Sequence, residues 1–300
     1  MRDVTFAGGA VRLAGVLGLP GAGVPVRAGV VLVGGSGPTD RDNDTFFPPL
    51  RRHLLDAGIA VLSYDKRGVG ASSGDWRDST LTDLAADASA ALGFLRSASG
   101  VRADTVGLFG HSEGGWVALR AASGRDDVPW VVTTGCPAVS PAAQERHALA
   151  VRLRKTGTGN RDALALYDRL VEAGRSGADF ATARRLVEAA GAPPELDPFW
   201  AGMDERLWTF VRRKQDHDPA ADLHRLRCPH LAVFGGDDPL VPVADSLRVL
   251  GAAACRADRP RRAALTVEVV PGADHRVRMP GSASMAPGCL DAVTRWIHGA

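Results

Sequence analysis

The chain has 300 residues, 45% of them hydrophobic, which suits one sizeable core domain with or without an insertion and excludes a large disordered class. Its 36 basic and 34 acidic residues leave a formal charge of +2, and 33 of the basic residues are arginines, so no polybasic field for nucleic acid is indicated. The four cysteines, Cys136, Cys228, Cys255 and Cys289, stand far apart without a C-x-x-C pair, which disfavours a zinc site or disulfide framework and predicts reduced thiols in a cytoplasmic protein.

The N-terminal stretch "MRDVTFAGGAVRLAGVLGLP" is interrupted by Gly-Gly, Arg12 and Pro20, and reads as a β-hairpin rather than a signal peptide. "AGVVLVGG" is a short apolar run ending in glycines, the mark of a buried strand. A polar loop, "SGPTDRDND", leads to a helix with Leu50, Leu54 and Leu55 at helical spacing and Gly58 as its C-cap. "IAVLSYD" is the next buried strand. "LTDLAADASAALGFLRS" is an amphipathic helix, with Leu81, Leu84, Ala88, Leu92 and Leu95 on one stripe. "DTVGLFG" predicts a strand, "GGWVALRAAS" a helix and "VPWVVTTG" another strand. Strand and helix alternate, as in a parallel α/β sheet with right-handed crossovers.

That rhythm stops between Ala138 and Arg225, where only helical patterns occur, among them "RDALALYDRLVEAG", "ADFATARRLVEAAG" and "MDERLWTFVRRKQ". It resumes with "CPHLAVFGGDD" (strand), "VADSLRVLGAAA" (helix), "AALTVEVVPG" (strand) and "APGCLDAVTRWIHG" (helix). The predicted organisation is an α/β core over 1–137 and 226–300, interrupted by a helical insertion over 138–225. Most of the insertion's apolar residues are expected to pack onto the core, and some to line a substrate pocket. Its 14 basic and 13 acidic residues offer no strong field for a charged substrate. The Arg259, Arg261 and Arg262 cluster lies in a Pro-containing loop and reads as a solvated face. No run of about 18 apolar residues is present, so no membrane span is predicted.

Two stretches satisfy G-x-S-x-G: "GASSG" around Ser72 and "GHSEG" around Ser112. Ser72 lies in a polar run with no apolar periodicity before Leu81, which predicts a loop. Ser112 follows "TVGLF" directly and precedes "GGWVALRAAS" directly, the context of a nucleophile on a strand–turn–helix elbow. Gly110 and Gly114 leave room for close approach, and the amides of the helix that begins there face the serine oxygen.

A serine hydroxyl needs an adjacent base oriented by an acid, in chain order serine, acid, histidine for such an elbow. Of eight histidines, only His275, in "VVPGADHR", lies just past the final strand, where loops at the carboxyl end of the sheet can reach the elbow. "VFGGDDPLVP" offers Asp237 and Asp238 as the acid, and only one can face His275. His217 and His224 lack further ligands at a binding spacing, so no metal is predicted, and no organic cofactor is implied.

Together, "GSGPTDRD", "DKRGVGASSG", "GHSEGGW", "CPHLAVFGGDDPLVP" and "PGADH" make the chain resemble capped members of the α/β-hydrolase superfamily, near bacterial carboxylesterases and the serine aminopeptidase-like group. The resemblance covers most of the chain outside the insertion. It implies an α/β-hydrolase fold, selects Asp238 over Asp237, and makes "GASSG" structural. It also implies an oxyanion hole from the backbone N–H of Glu113 and one from the Gly-rich loop near Ser36, with Gly34 where the family has a histidine. The Glu113 carboxylate has no part in that role, and Asp40, Arg41 and Asp42 are expected to form a local ion pair or turn. The implied reaction is ester hydrolysis through an acyl-enzyme, with a small ester or acyl compound as substrate and neither nucleic acid nor membrane as partner. The alternatives are an amide, peptide or thioester hydrolase on the same triad, or a non-catalytic small-molecule receptor.

Overall fold

The computed structural model describes residues 1–156 and 161–300; residues 157–160 of the predicted insertion lie outside the described residues. Strands β1 (Arg2–Gly8) and β2 (Val11–Gly18) form the expected hairpin, turning through Gly9 at φ 64°. Then follow β3 (Ala28–Val33), α1 (Phe47–Asp56), β4 (Ile59–Tyr64), α2 (Leu81–Arg96), β5 (Val106–His111), α3 (Glu113–Ala122) and β6 (Val131–Thr134). After six helices come β7 (His230–Gly235), α10 (Val243–Ala254), β8 (Leu265–Val270) and α11 (Cys289–Gly299).

The strands make one sheet in the order β1-β2-β4-β3-β5-β6-β7-β8, parallel from β4 to β8 and antiparallel at β1 and β2. Strands β3 to β7 are buried throughout, which is why they read as unbroken apolar runs and not as alternations. Apolar side chains of α2, α3 and α10 cover one face, and those of α1 and α11 the other. The α2 stripe of Leu81, Leu84, Ala88, Leu92 and Leu95 is wholly buried, and Thr80 and Asp83 close its first turn as a capping box. Strand order reverses at β3, which has β4 on one side and β5 on the other. In such sheets the crevice beyond the carboxyl ends of these strands is where ligands bind.

Between β6 and β7 lie α4 (Pro141–Thr156), α5 (Arg161–Arg175), α6 (Phe180–Ala189), α7 (Asp197–Trp200), α8 (Glu205–Lys214) and α9 (Pro219–Arg225), with no strand among the described residues. The expectation that their apolar residues pack mostly onto the sheet does not hold. Leu149, Leu166, Leu170, Val187 and Trp208 belong to a separate hydrophobic cluster. Apolar residues of α4, α5, α6 and α8 meet one another there, so the segment carries its own core, while Leu223 of α9 packs with the sheet. No helix of the described residues is long and apolar enough to cross a membrane.

Candidate active site

Strand β5 ends at His111, and Ser112 turns the chain at φ 55°, ψ −124° before α3 begins. A non-glycine residue held there stores about 1–3 kcal/mol, sustained only by what surrounds it. The Ser112 N–H donates to the Thr134 carbonyl at 2.9 Å, and its own carbonyl accepts from the Gly115 N–H at 2.9 Å. A Cβ at Gly110 would run into the backbone of Gly114, and one at Gly114 into the Val33 carbonyl oxygen. The two glycines therefore let β3, β5 and α3 meet at this turn, and leave Ser112 half-buried. Ser72 differs: it is buried, its Oγ donates to the Asp65 carbonyl at 2.7 Å and accepts from the Ala14 N–H at 2.9 Å. It knots a loop to β2.

Asp238 follows β7 and His275 follows β8. His275 Nδ1 lies 2.8 Å from Asp238 Oδ2, while Asp238 Oδ1 accepts from the N–H groups of Leu240 (2.8 Å) and Val241 (3.1 Å). Asp238 is buried and Asp237 is exposed, so the carboxylate in contact with the imidazole is that of Asp238. The Asp274 carboxylate folds the histidine loop by accepting from the N–H groups of Arg276 (2.8 Å) and Arg278 (2.9 Å). Fully buried Val277 completes that turn at φ 56°, a costly conformation for a β-branched residue.

His275 and Ser112 occupy the same end of the sheet. A Cβ on Gly135, the residue after the Thr134 that holds Ser112, would meet the His275 carbonyl at 2.6 Å and its ring at 3.1 Å. The His275 ring also lies 5.0 Å from that of His111, between centroids. No hydrogen bond joins Ser112 Oγ to His275 among the described residues; such contacts commonly tighten only when substrate arrives. Burial pushes the His111 pKa well below its ordinary value, so this ring stays neutral beside His275.

The Gly-rich loop after β3 lies against the elbow: a Cβ on Gly35 would sit 3.4 Å from Ser112 Cβ. The Gly35 N–H donates to Asn43 Oδ1 at 3.2 Å, and the Gly35 carbonyl accepts from Lys66 Nζ at 2.6 Å. The Ser36 N–H has no protein partner among the described residues. Asp40, Arg41 and Asp42 were expected to form a local ion pair or turn; the turn is present, with Asp40 Oδ1 accepting from the Asp42 N–H at 3.0 Å, but the main ionic partners lie elsewhere in the chain. Arg41 forks onto Asp65 (3.0 and 2.7 Å), and Asp42 pairs with Arg51 at 2.6 Å. They brace this loop.

The Glu113 side chain, given no part in the oxyanion hole by the sequence, forms an ion cluster that the sequence reading did not anticipate. It is fully buried, with Oε1 2.9 Å from Lys66 Nζ, and Oε2 paired with Lys214 of α8 and accepting from Ser36 Oγ at 3.3 Å. Burial alone raises the Glu113 carboxyl, but attraction to Lys214 and Lys66 outweighs it and brings the pKa down to about 2. Burial lowers the pKa of Lys66, and Glu113 only partly offsets this. The available signal was compositional: the chain has only three lysines, and two converge here, 47 residues before Glu113 and 101 after it.

A cavity of about 350 Å³ opens between the sheet's carboxyl edge and the helical segment. Ser36, Trp76 and Trp116 line it from the core, and Tyr167, Leu207 and Trp208 from the helices. Ser112 and His275 do not line it; the cavity reaches their neighbourhood at Ser36 and Lys214. No group of three or more His, Cys, Asp or Glu that could hold a metal occurs among the described residues. His217 lies 3.8 Å from Asp222.

The sequence pattern of the Alpha/beta hydrolase family matches residues 30–283. No curated protein matches the chain by sequence. Among solved structures, the chain is similar to Est1E from Butyrivibrio proteoclasticus with ferulic acid bound (19% identity, 99% of this chain and 96% of that chain, TM-score 0.61). It is similar also to a thermophilic esterase from Thermogutta terrifontis (21% identity, 100% and 99% covered, TM-score 0.58). A proline iminopeptidase from Mycobacterium smegmatis superposes with TM-score 0.63 at 15% identity, with 99% and 98% covered. At these identities the superpositions speak for the fold alone. The family pattern spans the chain from β3 past the histidine loop, and the sheet has the order and the strained serine turn described above; the chain belongs to the alpha/beta hydrolase family.

Proposed function

We propose that the protein is a serine hydrolase that cleaves a carboxylic ester through an acyl-enzyme on Ser112. The observation that carries this reading is the 2.8 Å Asp238–His275 contact, standing beside a serine held at a strained turn. Asp238, with two backbone N–H groups on its other oxygen, holds the imidazole with Nδ1 protonated and Nε2 free to accept. His275 takes the Ser112 proton as Oγ attacks the ester carbonyl carbon. The N–H groups of Glu113 and Ser36 hold the tetrahedral oxyanion, and His275 then protonates the departing alcohol. Water, deprotonated by the same imidazole, attacks the acyl carbon, and Ser112 leaves with its proton restored. The helical segment acts as a cap whose aromatic wall receives the bulkier group of the substrate.

The test is a panel of aryl esters with acetyl, butyryl and aromatic acyl groups, set beside amino-acyl anilides and thioesters, with wild type and Ser112→Ala in parallel. Ester turnover in the wild type, falling by about 10⁴-fold or more in the variant, is expected. Anilide cleavage exceeding ester cleavage would reassign the substrate class. No turnover anywhere, with no labelling by a fluorophosphonate, would reject the catalytic reading.

A further inference from the structure

The ion cluster around Glu113 does more than neutralise a buried acid. Lys66 Nζ has two partners: the Glu113 carboxylate at 2.9 Å and the Gly35 carbonyl at 2.6 Å. The peptide joining Gly35 to Ser36 is planar and trans, so its carbonyl and its N–H point in opposite directions. Fixing the Gly35 carbonyl onto Lys66 therefore fixes the direction of the Ser36 N–H, which has no partner of its own among the described residues. The preceding peptide is pinned as well, by Asn43 Oδ1 on the Gly35 N–H. The same ammonium grips the side chain of Glu113, whose backbone N–H opens α3 beside Ser112.

We infer that Lys66 is a positioning residue for the oxyanion hole, tethering the Gly35–Ser36 peptide to Glu113 so that both N–H donors are aimed at one point. The inference rests on the serine-hydrolase reading above. The choice of lysine fits the place. In a chain with 33 arginines, a compact ammonium on a slender stem reaches a carbonyl and a carboxylate together inside the core, where a planar guanidinium needs more room. Preorganised donors of this kind act when charge develops on the carbonyl oxygen, not when substrate first binds. Lys214 holds the same carboxylate from the helical segment but no hydrogen bond of its own to Gly35 is present among the described residues. The two lysines thus separate the tether from charge neutralisation.

Lys66→Met leaves Glu113 paired with Lys214, so the buried charge stays balanced; a thermal melt checks folding. With a short-acyl aryl ester, kcat and kcat/KM are expected to fall together by roughly 10²-fold, as for loss of an oxyanion donor. The affinity of phenylboronic acid, which adds to the serine and places a tetrahedral oxygen in the hole, should weaken by a similar factor. Lys214→Met, which removes the same charge without touching Gly35, should weaken boronate binding at least tenfold less. Should Lys66→Met not fold, Lys66→Gln, a shorter uncharged donor, takes the same measurements. Equal losses in the Lys66 and Lys214 variants, a fall carried by KM alone, or unchanged turnover in the Lys66 variant would overturn the tether. A wild type that neither hydrolyses esters nor takes the boronate overturns the serine-hydrolase reading, and the tether with it.

Discussion

Both oxygens of Asp238 are occupied, one by His275 and the other by two backbone N–H groups, whereas its neighbour Asp237 is exposed. Asp238→Asn would turn an acceptor into a donor or a displaced amide opposite Nδ1, and favour the wrong imidazole tautomer. A loss of about 10⁴-fold in kcat is expected. Asp237→Asn should stay within a few-fold of wild type; steady-state kinetics on the best ester decides, and the reverse pattern would move the acid by one position. At this scale the sequence was legible wherever the signal is local. The elbow is written in five consecutive residues, and Ser72 betrayed its role by lacking a following helix. The choice between Asp237 and Asp238 needed the family resemblance, because adjacent aspartates in one turn carry no spacing signal. The ion cluster on Glu113 was not foreseen because its partners lie 47 and 101 residues away, beyond any periodic pattern.

Strands β3, β5 and helix α3 converge so closely that their glycines are structural requirements. Gly114→Ala would drive a methyl into the Val33 carbonyl, within 2.5 Å of the Gly34 carbonyl also, with no flexible side chain to yield. Forced overpacking of this kind costs typically 1–3 kcal/mol or more. The expected outcome is a lower midpoint in urea and loss of the proposed hydrolase activity, since α3 has to shift away from Ser112. Strands β6 and β7 predict a pH response. His230 opens β7, fully buried, with Nε2 2.9 Å from Thr133 Oγ1 of β6, and burial pushes its pKa from 6.5 down to about 3. The folded state keeps this ring neutral while the unfolded chain protonates it below pH 6.5. Stability is therefore full above that pH and declines as pH falls toward 3. Glu113, held near 2 against an ordinary 4.5, adds a second decline between those values. Melting temperature measured from pH 8 to 3 should fall below about 6.5, and His230→Gln should flatten the upper part of that slope. An unchanged slope would remove His230 from the account. The alternating strands and helices were readable because each element buries its own apolar run or stripe. What the helices of the inserted segment bury against was not readable, because an amphipathic stripe does not name its partner.

The molecule holds two hydrophobic bodies, a sheet with helices on both faces and a smaller helical cluster, and the aromatic-walled cavity lies between them. Leu207 of α8 is half-buried on its wall. Leu207→Trp should fill part of the 350 Å³ and depress kcat/KM for aromatic acyl esters by tenfold or more, leaving acetyl esters within about threefold. An equal loss for both classes would mean that the cavity does not receive the acyl group. The smaller body is fastened at several points: Arg206 pairs with Asp75 and Asp78, Phe210 packs edge-on against Trp76 at 5.0 Å, and Lys214 reaches Glu113. The last of these limits how the protein can be re-engineered. A transplant of foreign helices between β6 and β7 must arrive with a cation where Lys214 stands, or the recipient forfeits half the counter-charge of the buried acid next to Ser112. In this chain the inserted helices and the sheet are therefore not independent parts; they have to be redesigned together with residue 113.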